Sequence, residues 1–270
     1  MGSEMCIRDR KIFNIYSLLV LGTIVSITPV LVLLVSSIIL FSSRFKFISP
    51  SLKFNDKALI SDILKLGLNF FVIQAMTIVL YQSNNLVITH LVGNEAVVQY
   101  NIAYKYIQVL NLLYMIIVTP MWSATTQAYV KHDYKWIIST NRNLNKIAFL
   151  FTIVGFVMVL VSPYVYKFWI KNEVNILFST TIIILLSEIG RMFYGNYGYI
   201  INGIGKLHAQ LVISVISAIL YVPLMIIMGN LWGLTGILLV GLALNFFNVV
   251  WSKYQFSLLM NGKSSNFWNK

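Results

Sequence analysis

Seven long apolar runs, parted by short polar breaks, make up most of the chain. They extend over Tyr16 to Phe41, Leu66 to Leu91, Val97 to Trp122, Ile147 to Ile170, Leu177 to Ile201, Ala209 to Gly229 and Leu234 to Leu259. A helix crosses a bilayer with roughly 20 apolar residues. A backbone in hydrocarbon must satisfy its own polar groups, so all seven are read as helices rather than open sheets. The predicted class is all-α, a polytopic membrane bundle of seven transmembrane helices.

The polar breaks carry the orientation. Arg44, Lys46, Lys53, Lys57 and Lys65 lie in the first, and Lys131, Lys135, Arg142 and Lys146 in the third. Lys206 lies in the fifth, while Lys253, Lys263 and Lys270 follow in the last helix and tail. The alternate side holds only Lys11, Lys167 and Lys171. Basic loops stay in the cytoplasm, so a cytoplasmic C-terminus is expected. Trp169 and Trp232 then fall at the outer interface and Trp122 at the inner one. The outer loops, "VGNEA", "KNEVN" and "GNLWG", leave no room for an external catalytic domain. The longest break, residues 42–65, contains Pro50 and reads as a cytoplasmic linker whose second half, Asp56 to Lys65, could form an amphipathic surface helix. "KHDYKWIISTNRNLNK" is a second interfacial candidate. Residues 66–260 form a six-helix bundle, and 261–270 a cytoplasmic tail.

Composition agrees. Hydrophobic residues reach 58% and charged residues only 10%, against about 25% charged in a soluble domain. The net charge of +12 sits in loop clusters rather than along one face, so nucleic acid is not an expected partner and membrane lipid is. Residues 1–10, "MGSEMCIRDR", look foreign to this pattern. Read back into codons, they fit a transposase-type sequencing adapter with GTG as start codon. They are expected to be an artefact joined to a longer gene; the alternative is a short native polar tail. Cys6 is the single cysteine, so disulfides and cysteine metal sites drop out.

Enzyme motifs are missing: there is no paired-His spacing, no G-x-S-x-G and no P-loop. No catalytic residue, metal or cofactor is expected. His90, His132 and His208, with Asp56, Asp62, Asp133, Glu95 and Glu173, fall near interfaces or helix ends and read as solvated groups. Polar residues inside the spans need a reason, since a charge at bilayer depth costs about 2.5–3.5 kcal/mol on insertion scales. Lys105 lies in the third run, Glu188 and Arg191 at i, i+3 in the fifth, where they can pair. Gln74 and then Gln82, Asn84 and Asn85 lie in the second; Asn245 and Asn248 in the last. Each has a plainer reading. The Glu188–Arg191 pair neutralises itself, Lys105 snorkels, and the amides glue helices together. Together, at similar depth, they favour a water-accessible cavity.

The run "LKLGLNFFVIQAMTIVLYQSNNLVITHLVGNEAVVQYNIAYKYIQVL", with "VTPMWSATTQAYVKHDYKWI", "YIINGIGKLHAQL" and the ending "FWNK", resembles the second half of bacterial O-antigen-type polysaccharide flippases. These belong to the multidrug/oligosaccharidyl-lipid/polysaccharide exporter superfamily. The resemblance implies two six-helix bundles around a central cavity in the bacterial inner membrane. Residues 11–41 would be the last helix of an N-terminal bundle, and the rest of that bundle a missing partner of the same chain. The implied cargo is a lipid-diphosphate-linked oligosaccharide, with a coupling cation as a further partner. Many relatives show Asp in a "QTDN" stretch where this chain has "QSNN", with Asn84 in that place, which weakens a carboxylate ion site.

A cavity with Lys105 and Arg191 would attract an anionic head, and Arg suits diphosphate through its two-pronged fork. Gly195, Gly198, Gly203 and Gly205 would let the fifth helix bend or pack closely. The competing classes are a multidrug/cation antiporter, which would want acids in the cavity, and a membrane polysaccharide polymerase or ligase, which would want a large external loop.

Overall fold

A computed structural model describes the backbone of residues 2–43, 45–48, 57–170, 174–262 and 267–268, with side chains from residue 19 onward except 48, 57, 58 and 62. The chain divides into two units, Met1–Ser61 and Asp62–Lys270. Among the described residues there is no strand.

The first unit is one helix, α1 (Gly2–Ser42), followed by a 3-10 turn at Lys46–Ile48. From Leu19 to Leu40 its apolar side chains are exposed on every side. A helix that is apolar all round belongs in lipid or in a protein core. The backbone remains helical back to Gly2, while the side chains of the decapeptide lie outside the described residues.

The second unit holds α2 (Lys57–Leu91, which begins just before it), α3 (Asn94–Val118), α4 (Met121–Val130), α5 (Tyr134–Ile170), α6 (Phe178–Ile204) and α7 (His208–Met260). Of the expected surface helix, Asp56 lies outside the described residues, and Lys57 to Lys65 form the first turns of α2, where nothing breaks the helix before the span. The second interfacial candidate likewise becomes the first turns of α5. Pro120 lacks an N–H and parts α3 from α4, which otherwise continue one path.

Among the described residues, the seven apolar runs give five helices long and apolar enough to cross a membrane: Leu19–Ser42, Leu59–Leu91, Asn94–Val130, Tyr134–Ile170 and His208–Met260. Two physical reasons account for the difference. The last two runs fall in α7, whose 53 residues are broken at Trp232 and Gly233. Gly233 sits at φ 57°, ψ −138°, where a side chain is strained. Beyond it the chain folds back on itself: a Cβ at Gly236 would lie 2.0 Å from the Met228 carbonyl oxygen, and one at Gly229 within 3.0 Å of Ile237. The other reason is α6, which is diluted in apolar character by Glu188 and Arg191 at its middle.

That dilution makes α6 the inside helix. It packs against α3, α4, α5 and α7 and buries Thr180, Thr181, Glu188, Asn196 and most of its glycines. Small residues let backbones close up where no hydrophobic force separates helix from lipid. A Cβ at Gly203 would meet the Trp122 carbonyl at 2.7 Å, and one at Gly190 would meet Asn245 at 3.1 Å. Gly205 caps α6 in the left-handed region at φ 80°, Gly203 serves close packing, and a Cβ at Gly195 or Gly198 would make ordinary contact with Tyr199 at 4.0 Å or Tyr194 at 3.9 Å. Buried polar groups pair across helices: Asn196 donates to Asn145 at 2.9 Å and accepts from the Tyr114 hydroxyl. Ile107, Leu110, Ile184, Leu185, Met192, Met225 and Ile237 fill the space around them.

Candidate functional site

One turn of α6 brings Glu188 and Arg191 onto one face. The pair expected from that spacing is present, with Arg191 Nη2 2.8 Å from Glu188 Oε1. Glu188 is only 2% exposed. Its other oxygen accepts a hydrogen bond from the Asn111 amide of α3. A buried carboxylate needs such company, since an unpaired charge in apolar surroundings is costly.

Arg191 is gripped from further directions. Its Nη1 donates to the Tyr104 hydroxyl at 3.3 Å. Its guanidinium carbon lies 4.3 Å from the centre of the Tyr81 ring and 5.9 Å from that of Tyr104, within cation–π range. Its Nε has no hydrogen-bond partner. The guanidinium is thus fixed in direction and partly neutralised.

Around the pair, hydroxyls and amides are locked together. Asn84 of α2 uses both ends of its amide: Nδ2 donates to the Tyr100 hydroxyl at 3.2 Å, and Oδ1 accepts from Tyr221 at 2.8 Å. Tyr100 stacks on Tyr104 at 5.6 Å. Asn245 of α7 donates to Ser187 of α6 at 2.8 Å. These groups, with Ile183, Ile184, Ile237 and Leu238, line a cavity of about 40 Å³ between α2, α3, α6 and both limbs of α7. A second cavity, of about 320 Å³, lies along α2, α3 and α6. Tyr81 and Arg191 line both and stand where one gives way to the other.

Of the sequence-derived candidates, Glu188, Arg191, Asn84 and Asn245 converge on the small cavity. The others do not. Asn85 accepts from Asn101 at 3.1 Å, and Asn248 accepts from the Trp251 indole at 2.8 Å. Gln82 and Lys105 are exposed and line neither cavity, although Lys105 is one residue from Tyr104. Sequence reasoning missed Tyr81, Tyr100, Tyr104, Tyr221, Asn111 and Ser187. A signal was there for two of them: Tyr100 and Tyr104 are spaced i, i+4, so they share a helix face. For Tyr221, which comes from a distant helix, there was none.

Among the described residues no group of three or more His, Cys, Asp or Glu is placed to hold a metal ion. What the site offers is an anchored cation amid hydroxyls and amides, inside helices built for lipid. The chain is an all-helical, multi-pass membrane protein with a polar, charged interior cluster.

No family model matches the chain, and no solved structure matches it. Over 229 residues it is 28% identical to a protein of Yersinia pseudotuberculosis named "Putative O-antigen export protein". The alignment covers 80% of this chain and 50% of that protein, so the chain spans about half the length of the relative it matches.

Proposed function

We propose that the chain is part of a transporter that flips a lipid-diphosphate-linked oligosaccharide outward across the bacterial inner membrane for surface polysaccharide export. The observation that carries this reading is Arg191: a guanidinium 22% exposed, held in place by Glu188, Tyr104 and Tyr81, that lines both cavities. A fixed cation with a planar fork suits a phosphate oxygen. Asn84, Asn245 and the tyrosine hydroxyls supply neutral polar contacts around it. Lys105, exposed beside Tyr104, is proposed to draw the anionic head toward the cluster, and Gln82, Asn85 and Asn248 to contact the cargo from the same spans. Both limbs of α7 and the polar α6 cross the membrane in this reading, with α1, α2, α3 and α5 completing seven spans. The bundle rocks about the site to expose it to each side in turn, and a coupling cation is a further partner.

Export in a strain lacking its own flippase tests the mechanism. Arg191→Lys keeps the charge beside Glu188 but loses the planar fork. It should cut surface polysaccharide severalfold at an unchanged level of protein in the membrane. Lys105→Gln should also reduce it, and Lys105→Arg should be better tolerated. Normal export by both Arg191→Lys and Lys105→Gln would rule out a cationic head site.

Topology is tested separately. In a Cys6→Ser background, Asn94→Cys should react with an impermeant thiol reagent added outside intact cells, and Ser139→Cys should not. Both positions are exposed. The reverse labelling would invert the orientation.

A further inference from the structure

The first turns of α5 hold a set of cations that the buried cluster does not use. Lys135, Arg142 and Lys146 are all exposed, and none of them makes an ion pair among the described residues. Asp133 is the one acid between Met121 and Ile170. Its carboxylate is taken up in capping α5, accepting the Trp136 backbone N–H at 3.0 Å. Three positive charges therefore stand together without a counter-charge.

Their register is that of the outward face. Steps of three and four residues lead from Lys135 through Ile138, Arg142 and Lys146 to Phe149, so all five share one side of the helix. The same steps continue through Ile153, Val157 and Leu160, which are also exposed. The opposite side, with Ile137, Asn141, Leu144 and Ala148, is buried. One outward stripe thus carries its cations in the first three turns and is apolar after that. The flanking exposed positions of those turns, Trp136, Ser139 and Asn143, are neutral. Depth follows from length. The 37 residues of α5 rise about 55 Å, against about 30 Å of hydrocarbon. Phe149 to Trp169 takes up about 30 Å of that rise. Lys146 and Arg142 then stand about 5 and 10 Å beyond the hydrocarbon, within a side chain's reach of the headgroups.

That arrangement selects among ligands. Cations that are merely solvated need no register, yet these three keep the register of the apolar stripe. A nucleic acid or an acidic protein meets the charges and leaves the stripe beneath them unmatched. A neutral phospholipid covers the stripe and leaves the charges unmatched. An anionic phospholipid fits both parts, with phosphate at the cations and acyl chains along the apolar rows. Arg142 and Lys146 stand one turn apart, which suits a headgroup that carries two phosphates. Basic clusters beside a membrane span are the usual protein side of such contacts.

We propose that this face of α5 is a binding site for an anionic phospholipid of the cardiolipin type. Arg142 and Lys146 hold its two phosphates, Lys135 adds attraction from further out, and the acyl chains lie along Phe149, Ile153 and Val157. The site rests on the membrane character of α5 alone and is independent of what the protein carries.

Native mass spectrometry tests it, with the full chain stripped of lipid in detergent and titrated with one lipid at a time. Cardiolipin should bind more tightly than phosphatidylglycerol, and phosphatidylglycerol more tightly than phosphatidylcholine. A cation beside anionic lipid contributes about fivefold in affinity. Arg142→Gln with Lys146→Gln should therefore weaken cardiolipin binding about 25-fold and leave phosphatidylcholine unchanged. Lys135→Gln should weaken cardiolipin less. Lys167→Gln, at the other end of α5, and Lys253→Gln, on α7, should change neither lipid, although both side chains are exposed. Equal affinity for cardiolipin and phosphatidylcholine would overturn the proposal. A loss in Lys253→Gln as large as that in the α5 variant would also overturn it, since the attraction would then be diffuse. So would displacement of cardiolipin by inorganic phosphate, which would make the cations a site for the free ion. Loss of export in the Arg191 variants, or its absence, leaves each of these outcomes as it stands.

Discussion

Arg191→Gln should destabilise the folded chain by about 3–5 kcal/mol, the usual cost of stripping a buried charge of its partner, and should abolish export with it. Glu188 would then remain as a carboxylate with 2% exposure and the Asn111 amide as its remaining side-chain partner. A double variant separates the two losses. Glu188→Gln with Arg191→Gln removes both charges and keeps amides that can pair with Asn111 and Tyr104. Its thermal unfolding should return to within about 1–2 kcal/mol of the original, since replacing a whole buried pair is often close to neutral. Export should stay lost. Full export by the double variant would show that the pair only neutralises itself within α6.

Gly236→Ala should have the largest effect of any single methyl in the chain's second unit. The added carbon would lie 2.0 Å from the Met228 carbonyl oxygen and 2.6 Å from its carbon. Those atoms are backbone, so no side-chain rotation relieves the clash and the two limbs of α7 must separate. A cost at or above the upper end of the 1–3 kcal/mol typical of overpacking, about 3 kcal/mol, is expected. Gly233→Ala should cost less, about 1–3 kcal/mol from its strained dihedrals alone, because nothing lies within 4 Å of the new carbon. Gly67→Ala should go the other way. It is exposed inside α2 with open space around it, and removing a helical glycine stabilises by about 0.5–1 kcal/mol. Thermal unfolding in detergent, followed by circular dichroism, reads all three. Equal shifts for Gly236→Ala and Gly67→Ala would contradict the tight hairpin.

Helix class and membrane character were legible because they depend on composition over long windows. Apolar runs of this length leave few alternatives in lipid. The count of spans was less legible, since a length rule cannot tell where a long apolar helix breaks or how far a charged pair dilutes a buried one. α7 and α6 are those two cases. The Glu188–Arg191 contact was legible because both partners sit on one helix, at a spacing that fixes their geometry. The company they keep was not. Asn84, Tyr100 and Tyr221 meet from three helices, and the meeting depends on how α2 and α7 are rotated, which no local pattern specifies. Lys105 is the converse case. Its place along α3 was readable, but its face was not: it is exposed and lines neither cavity.

The most direct test is lipid transfer in proteoliposomes. The protein, with all the sequence its gene encodes, is reconstituted with polyprenyl-diphosphate-linked oligosaccharide, and the glycan reaching the outer leaflet is trimmed by an added glycosidase. The original protein should expose glycan that empty liposomes keep protected, while the folded Glu188→Gln, Arg191→Gln double variant should match the empty liposomes. Transfer by the double variant at the original rate would contradict a role for Arg191 in moving the anionic head.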